Sequence, residues 1–319
     1  MKALTLTEDR TADTLALTDL DVPEPGPGQV RLKVHACGLN PVDHKVAPGQ
    51  SPGQVPGIDV AGTVDALGPG VTHATAGDRV VVHLEVAHGG GLAEYCLAPA
   101  DVLAPIPESV SDADAAALPC AGMTAFQSVD RRLKVTGDDV VLVTAAAGGV
   151  GGFAVQLAAL RGARVIGTAS ARNHDQVREL GADEVIDYRN EDVPTRVREL
   201  TGGRGVDAVV ECVGTATELL PTLAFGGGLA AITGRPDWDA VRQFTTAPSV
   251  HEIALGAAHR HGDVRARREL RDMLVELLDL VVAGRLAPRV TRTFSLAEVP
   301  RAYAGLMDGH VTGKYVAVI

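Results

Sequence analysis

A chain of 319 residues with 46% hydrophobic and 22% charged residues can hold two domains with buried cores. Its 29 basic and 40 acidic residues leave a net charge of −11, which argues against a general nucleic-acid binder, because phosphate neutralisation needs a basic surface. Four scattered cysteines with no C-x-x-C pair argue against a disulfide framework and for the reducing cytoplasm. No apolar run follows Lys2 and no stretch of eighteen apolar residues occurs, so neither a secretory signal nor a membrane span is expected.

In chain order, residues 1–107 are rich in Gly and Pro and hold short apolar runs. Strands are predicted at 30–36, 57–67, 79–82 and 91–97, the second bent or bulged at Gly62. Many short strands at this spacing suggest an irregular barrel. From residue 139 the rhythm changes. Apolar strands at 140–144, 164–168, 184–187, 206–212 and 228–233 alternate with helices at 150–160, 174–180, 193–201 and 216–223. That alternation predicts a doubly wound parallel sheet. A further strand at 250–255 and an amphipathic helix at 264–282 follow, then short strands and one short helix.

The segment Val140–Ala154, VVLVTAAAGGVGGFA, runs from a buried strand through a glycine turn into a helix. Gly149-x-Gly151-x-x-Ala154 fits a dinucleotide fingerprint, in which glycines let the backbone approach a pyrophosphate at a helix N-terminus. Ala146, Gly148, Gly149, Val150 and Gly151 are the candidate contacts. An acid about twenty residues further on would bind the ribose 2′-hydroxyl of NAD. That position instead reads Thr168-Ala169-Ser170-Ala171-Arg172. Ser170 and Arg172 suit a 2′-phosphate, so NADPH is the expected cofactor; the alternative is a solvent-facing arginine. The histidines lie mostly singly, and no cluster supplies three or four zinc ligands.

Several segments together resemble one family. They are Gly38-Leu39-Asn40-Pro41-Val42-Asp43, Pro56-Gly57-Ile58-Asp59-Val60-Ala61-Gly62, Gly77-Asp78-Arg79-Val80, Ala145-Ala146-Ala147-Gly148-Gly149-Val150-Gly151, Glu179-Leu180-Gly181-Ala182-Asp183 and Gly313-Lys314. The chain resembles the medium-chain dehydrogenase/reductase superfamily, in its zinc-free, zeta-crystallin-like quinone oxidoreductase branch. The resemblance implies an α/β protein: a GroES-like β-barrel catalytic domain at 1–118 with 258–319, and an inserted Rossmann domain at 119–257. Zinc-dependent relatives carry a cysteine where this chain has Asn40 and a histidine where it has Ile58. Only Cys120 falls near a ligand position, so no metal is expected.

The resemblance also implies the chemistry. Hydride would pass from NADPH to a quinone or to the C=C bond of an α,β-unsaturated carbonyl. Asn40 would donate to the developing enolate-like oxygen, Asp43 would organise the loop or a water, and Lys45 would sit where enone reductases of the branch carry a lysine, or be an exposed loop cation. Further cofactor contacts are expected at Thr124, at Tyr188 (or a rim aromatic), at Cys212, Val213 and Gly214 at a strand end, and at Lys314. Partners would be a small conjugated carbonyl or quinone and a second copy of the chain, with no nucleic acid and no membrane. Two alternatives remain: an enoyl reductase of a biosynthetic pathway, and a non-catalytic, crystallin-like NADPH binder.

Overall fold

The computed structural model describes residues 1–309 and 311–319. The chain divides into two compact units, Met1–Met123 with Leu255–Ile319, and Thr124–Ala254. These joints differ by a few residues from the expected 118/119 and 257/258. The reason at the first joint is local: a continuous helix, Pro119–Phe126, runs across it, so no Gly/Pro linker marks the place.

In the first unit, β1 (Lys2–Thr5) and β2 (Ala16–Asp19) form an antiparallel pair. The main sheet has seven strands. They are β3 (Gln29–Leu39), β4 (Asp59–Leu67), β5 (Arg79–His83), β6 (Tyr95–Pro99) and β7 (Ala104–Pro105), with β14 (Val290–Ser295) and β15 (Lys314–Val318) from the end of the chain. Its order is β14-β15-β3-β4-β5-β7, with β6 also on β3. The long β3 serves three neighbours because it bends. Its register with β4 shifts between Val34 and Ala36, next to Gly62, where a Cβ would lie 2.2 Å from the Lys33 carbonyl oxygen. The extra residue at that step is His35 of β3, opposite Gly62, so the bulge lies on β3 and not, as expected, in Gly62's own strand, whose extra residue is Asp65. One apolar core gathers Val30, Leu32, Val34, Ile58, Val60, Val80 and Val82; another gathers Leu4, Leu39, Phe294, Val299 and Tyr303. The strand expected at 91–97 begins only at Tyr95, because residues 91 and 92 instead hydrogen-bond the carbonyls of Gly57 and Pro56.

The second unit is a six-stranded, wholly parallel sheet. Its strands are β8 (Val140–Val143), β9 (Arg164–Ala169), β10 (Glu184–Asp187), β11 (Val206–Glu211), β12 (Leu223–Ala231) and β13 (Ser249–Glu252). The order β10-β9-β8-β11-β12-β13 reverses direction of winding between β8 and β11, which is the point where such sheets bind nucleotides. Its core is built on Leu142, Ile166, Ile186, Val209 and Leu229. β12 starts earlier than its expected residue 228. Val206 pairs with Leu223 and Ala208 already with Gly228, so residues 224–227 bulge out, with Gly226 at φ +77°. Gly226 and Gly227, ahead of the expected strand start, are absorbed by this bulge. The helix expected at 216–223 is correspondingly shortened to Ala216–Leu219 and a 3-10 turn.

The helix Val264–Val282 matches its expected span and buries Leu270, Met273, Leu274, Leu277 and Leu278 in the first unit. No helix among the described residues is long and apolar enough to cross a membrane.

Candidate active site and nucleotide-binding turn

Strand register gathers the first unit's polar residues. Tyr315, next to Lys314 at the start of β15, pairs with Leu39 at the end of β3; Gly38 pairs with Asp59, and Asp59 with His83. Residues far apart in sequence thus meet at one level of the sheet. All are nearly sealed from water: Asn40 2%, Asp59 0%, His83 2% and Lys314 3% exposed.

A buried charge is tolerated only when paired and hydrogen-bonded, and here the pairing is close to complete. The Asn40 amide donates to Asp59 Oδ2 at 2.9 Å and to the Gly38 carbonyl at 3.3 Å. The Lys314 ammonium donates to Asn40 Oδ1 and to the Leu39 carbonyl, and lies 3.6 Å from Asp59 Oδ2. Asp59 Oδ1 accepts the Cys120 backbone N–H at 2.9 Å. Beside this cluster, Asp43 Oδ2 accepts the Asn40 N–H at 2.9 Å and the Tyr303 hydroxyl at 2.8 Å. Burial pushes the Asp43 carboxyl up to about 7, with Tyr303 pulling back. Burial also pushes Asp59 up to about 6 against the pull of Lys314.

These contacts bear on the expected roles of four residues. Both Asn40 amide hydrogens are spent inside the cluster, which corrects its expected role as a free donor to a substrate oxygen. Lys314 lies in the first unit, where its ammonium donates to Asn40 Oδ1 and the Leu39 carbonyl beside Asp59. Asp43 does organise its loop, through the Asn40 N–H. Lys45 is exposed and has no hydrogen bond or ion pair among the described residues.

One trio has metal-ligand chemistry: Asp59, His83 and Cys120 offer atoms within 4.8 Å of one another. Its donors do not suit a divalent ion. Both Asp59 oxygens are already occupied, and an ammonium stands beside one of them. Burial, reinforced by Asp59, pushes the Cys120 thiol up, away from the thiolate that binds metal. His83 is held down to about 3 by burial and by the neighbouring His259, whose ring stacks on it at 5.7 Å; it is therefore neutral, the form that can ligate, and the obstacle lies with Asp59 and Cys120. A zinc ion on Asp59 would stand close to the Lys314 ammonium, 3.6 Å from Oδ2, and be repelled by it.

Sequence reasoning did not assign roles to Asp59, His83, Tyr303 or Glu211. The first three are joined only by strand pairing and by a helix near the end of the chain, which no local spacing reveals. Glu211 did leave a trace, as an acid closing the apolar strand VDAVVE.

The second unit holds the nucleotide signature. Behind β8 the turn carries Ala145 at φ +48°, tied through its N–H to Thr168 Oγ1 at 3.2 Å, and the Ala146 N–H donates to the Thr168 carbonyl at 2.9 Å. Gly148 caps the helix Gly149–Leu160. A Cβ on Gly151 would stand 2.2 Å from the Ala145 carbonyl oxygen, so only glycine lets helix and turn meet. Val150 lies in the helix's first turn. These residues fit a pyrophosphate at the helix N-terminus. Ser170 follows β9 and is buried, and its hydroxyl receives Asn173 Nδ2 at 3.4 Å. Arg172 is exposed, with no protein partner among the described residues. Tyr188, past β10, is 51% exposed and stacks with Arg189. Cys212, Val213 and Gly214 follow β11; Val213 is 55% exposed, and burial pushes the Cys212 thiol up. Thr124 is buried at the joint, its carbonyl accepting from the Ser128 hydroxyl.

The Asp43 environment predicts a pH dependence. Its folded-state value lies above the ordinary carboxylate value, so its favourable contribution is complete below about pH 4 and is lost as pH rises to about 7. Asp43→Asn keeps an acceptor and removes the charge. Between pH 5 and pH 8 the wild type should lose on the order of 2 kcal/mol relative to Asp43→Asn in urea unfolding. A constant difference, or one of opposite sign, would contradict the buried-carboxyl assignment.

Comparison with known proteins agrees with this architecture. Residues 26–108 match the family described as alcohol dehydrogenase GroES-like domain, and residues 180–316 match that described as zinc-binding dehydrogenase. The chain is 36% identical over 314 residues to a chloroplast envelope quinone oxidoreductase homolog of Arabidopsis thaliana, covering 92% of this chain and 91% of the relative. It is 32% identical over 307 residues to a phthioceranic/hydroxyphthioceranic acid synthase of Mycobacterium tuberculosis, covering 92% of this chain but 14% of that much longer protein. A mycobacterial protein solved in complex with NADPH superposes with a TM-score of 0.88 at 32% identity, each chain covered in full at 100%. A GroES-like domain, a parallel nucleotide-binding sheet and quinone oxidoreductase relatives matched nearly end to end lead to one conclusion: the chain belongs to the medium-chain dehydrogenase/reductase superfamily, in its quinone oxidoreductase branch, and is an oxidoreductase of that family.

Proposed function

We propose that the chain is an NADPH-dependent, zinc-independent reductase that delivers hydride to the C=C bond of an α,β-unsaturated carbonyl, with small quinones as alternative acceptors. The observation that carries this reading is the closed Asn40–Asp59–Lys314 cluster. Oxidising a simple alcohol calls for a Lewis acid on its oxygen, and Asp59, the one carboxylate of the Asp59–His83–Cys120 trio, is already committed to Asn40, to the Cys120 N–H and to the neighbouring Lys314. A conjugated acceptor needs less. It takes hydride at carbon and spreads the charge to an oxygen that a donor or a nearby cation can stabilise.

Bound NADPH would supply the hydride. The chain's own residues hold and orient it: the Gly148–Gly151 turn at the pyrophosphate, and Ser170 with Arg172 at the 2′-phosphate. Arg172 is suited to that task because its guanidinium is exposed and uncommitted. With the Asn40 amide spent, Lys45 is the candidate cation for the developing oxygen, and water supplies the proton. Reduction of an enoyl group inside a biosynthetic pathway is a second form of the same chemistry. The end-to-end match to a segment of a long acid synthase favours it.

We also propose that the chain works in the cytoplasm as a homodimer. β13 is the last strand of its sheet and pairs only with β12 among the described residues. Such an edge invites pairing with its own copy about a two-fold axis. Exposed Phe225 and Phe244 add apolar surface to this unit. Light scattering at micromolar concentration should report the mass of two chains; the mass of one would refute the pairing.

The activity is tested with a panel of 2-alkenals, cyclic enones, simple quinones and saturated ketones, with NADPH and with NADH. Turnover should favour enones, then quinones, and prefer NADPH. Arg172→Ala should weaken NADPH by about 1–3 kcal/mol and leave NADH nearly unchanged, as for a charged hydrogen bond. Lys45→Met should lower kcat by roughly 10²-fold or more if its charge meets the transition state. Turnover confined to saturated ketones, or equal loss of both cofactors in Arg172→Ala, would overturn the assignment.

A further inference from the structure

Glu211, the last residue of β11, has no exposure to solvent. Its Oε1 accepts three successive backbone N–H groups: Val213 and Gly214 at 2.7 Å each, and Thr215 at 3.0 Å. The Thr215 hydroxyl adds a fourth bond to Oε1 at 3.3 Å, and the Thr233 hydroxyl reaches Oε2 at 3.3 Å. Every partner is a donor, as a carboxylate requires. On its other side the turn is fixed by the Cys212 N–H, which donates to Thr144 Oγ1 at 2.8 Å.

Successive backbone N–H groups converging on one point form an anion-binding nest. At the carboxyl end of a strand in a nucleotide-binding sheet, such a nest would compete for phosphate. Here the chain's own carboxylate fills it. The phosphates are left to the Gly148–Gly151 turn, and the 212–215 turn becomes a rigid, mostly uncharged surface. That surface presents the exposed Val213 and Gly214, the latter at φ +92°.

Topology gives the surface a task. The winding reverses between β8 and β11. A dinucleotide across that crevice lays one mononucleotide on each half of the sheet. Ser170 and Arg172 lie at the end of β9 and mark the adenosine half. β11 opens the other half, and Glu211 also ties its turn to Thr233, just past β12.

We propose that Glu211 is a positioning residue that holds the 212–215 turn in the shape that receives the nicotinamide–ribose half of the cofactor. This rests on the dinucleotide reading above. It extends that reading to a residue that touches no ligand and acts through the turn.

The test separates the two halves of the cofactor. Calorimetry measures NADPH and adenosine 2′,5′-bisphosphate, which carries only the adenosine half, on wild type, Glu211→Ala and Glu211→Gln. Glu211→Ala should bind NADPH about 10- to 100-fold more weakly, the range for lost charged hydrogen bonds, and bind the bisphosphate within about twofold of wild type. Glu211→Gln, whose Oε1 can still accept the three N–H groups, should recover part of the NADPH affinity. If Glu211→Ala does not fold, Glu211→Gln and Thr233→Val carry the comparison, each with a smaller loss confined to NADPH. Unchanged NADPH affinity, or an equal loss of both probes in a folded variant, would overturn the proposal. Wild type that binds neither probe would sink the dinucleotide reading itself, and this proposal with it.

Discussion

The Lys314 ammonium is almost wholly removed from water, and the middle of the first unit is arranged around that fact. An ammonium in such a place must be met by charge and by acceptors. Asp59 supplies the charge, and Asn40 Oδ1 and the Leu39 carbonyl supply acceptors. Each partner is then committed in turn. Asn40 also binds Asp59, Asp59 also receives the Cys120 N–H, and Asp43 fixes the Asn40 backbone while holding Tyr303. The cluster joins the end of the chain to residues near its start, so it also fixes how β15 lies beside β3. A cation that is part of the protein thus stands where a divalent ion would have to compete for Asp59.

Electrostatics in the second unit follows the same rule with a different partner. There the buried charge is the Glu211 carboxylate, and backbone N–H groups answer it instead of a cation. Both solutions remove a potential ion-binding position by filling it from within. The helix N-terminus behind Gly148 and the exposed guanidinium of Arg172 are the positions proposed for the cofactor's phosphates.

The parts of this structure legible in the sequence are those written locally. The fingerprint turn could be read because strand, glycines and helix are contiguous, and because Gly151 has no room for a Cβ. The β/α alternation and the helix Val264–Val282 were legible for the same reason. The site in the first unit was legible only in part. Asn40 and Asp43 stood out within a short segment, but what they touch could not be read. Their partners Asp59, Tyr303 and Lys314 arrive by strand register and by packing of a distant helix. A free asparagine amide and one committed to Asp59 look identical in sequence. The bulge in β12 was hidden as well, since only the pairing of Val206 with Leu223 and of Ala208 with Gly228 shows that the strand begins before its glycines.

We propose that Lys314, and not a metal, is the cation of the first unit. The most direct measurement is the zinc content of the purified protein by elemental analysis, with enone turnover followed through exhaustive chelation. The purified protein should hold far less than one zinc per chain, and the chelator should leave turnover unchanged. Stoichiometric zinc, lost together with activity on chelation and restored with it, would contradict it.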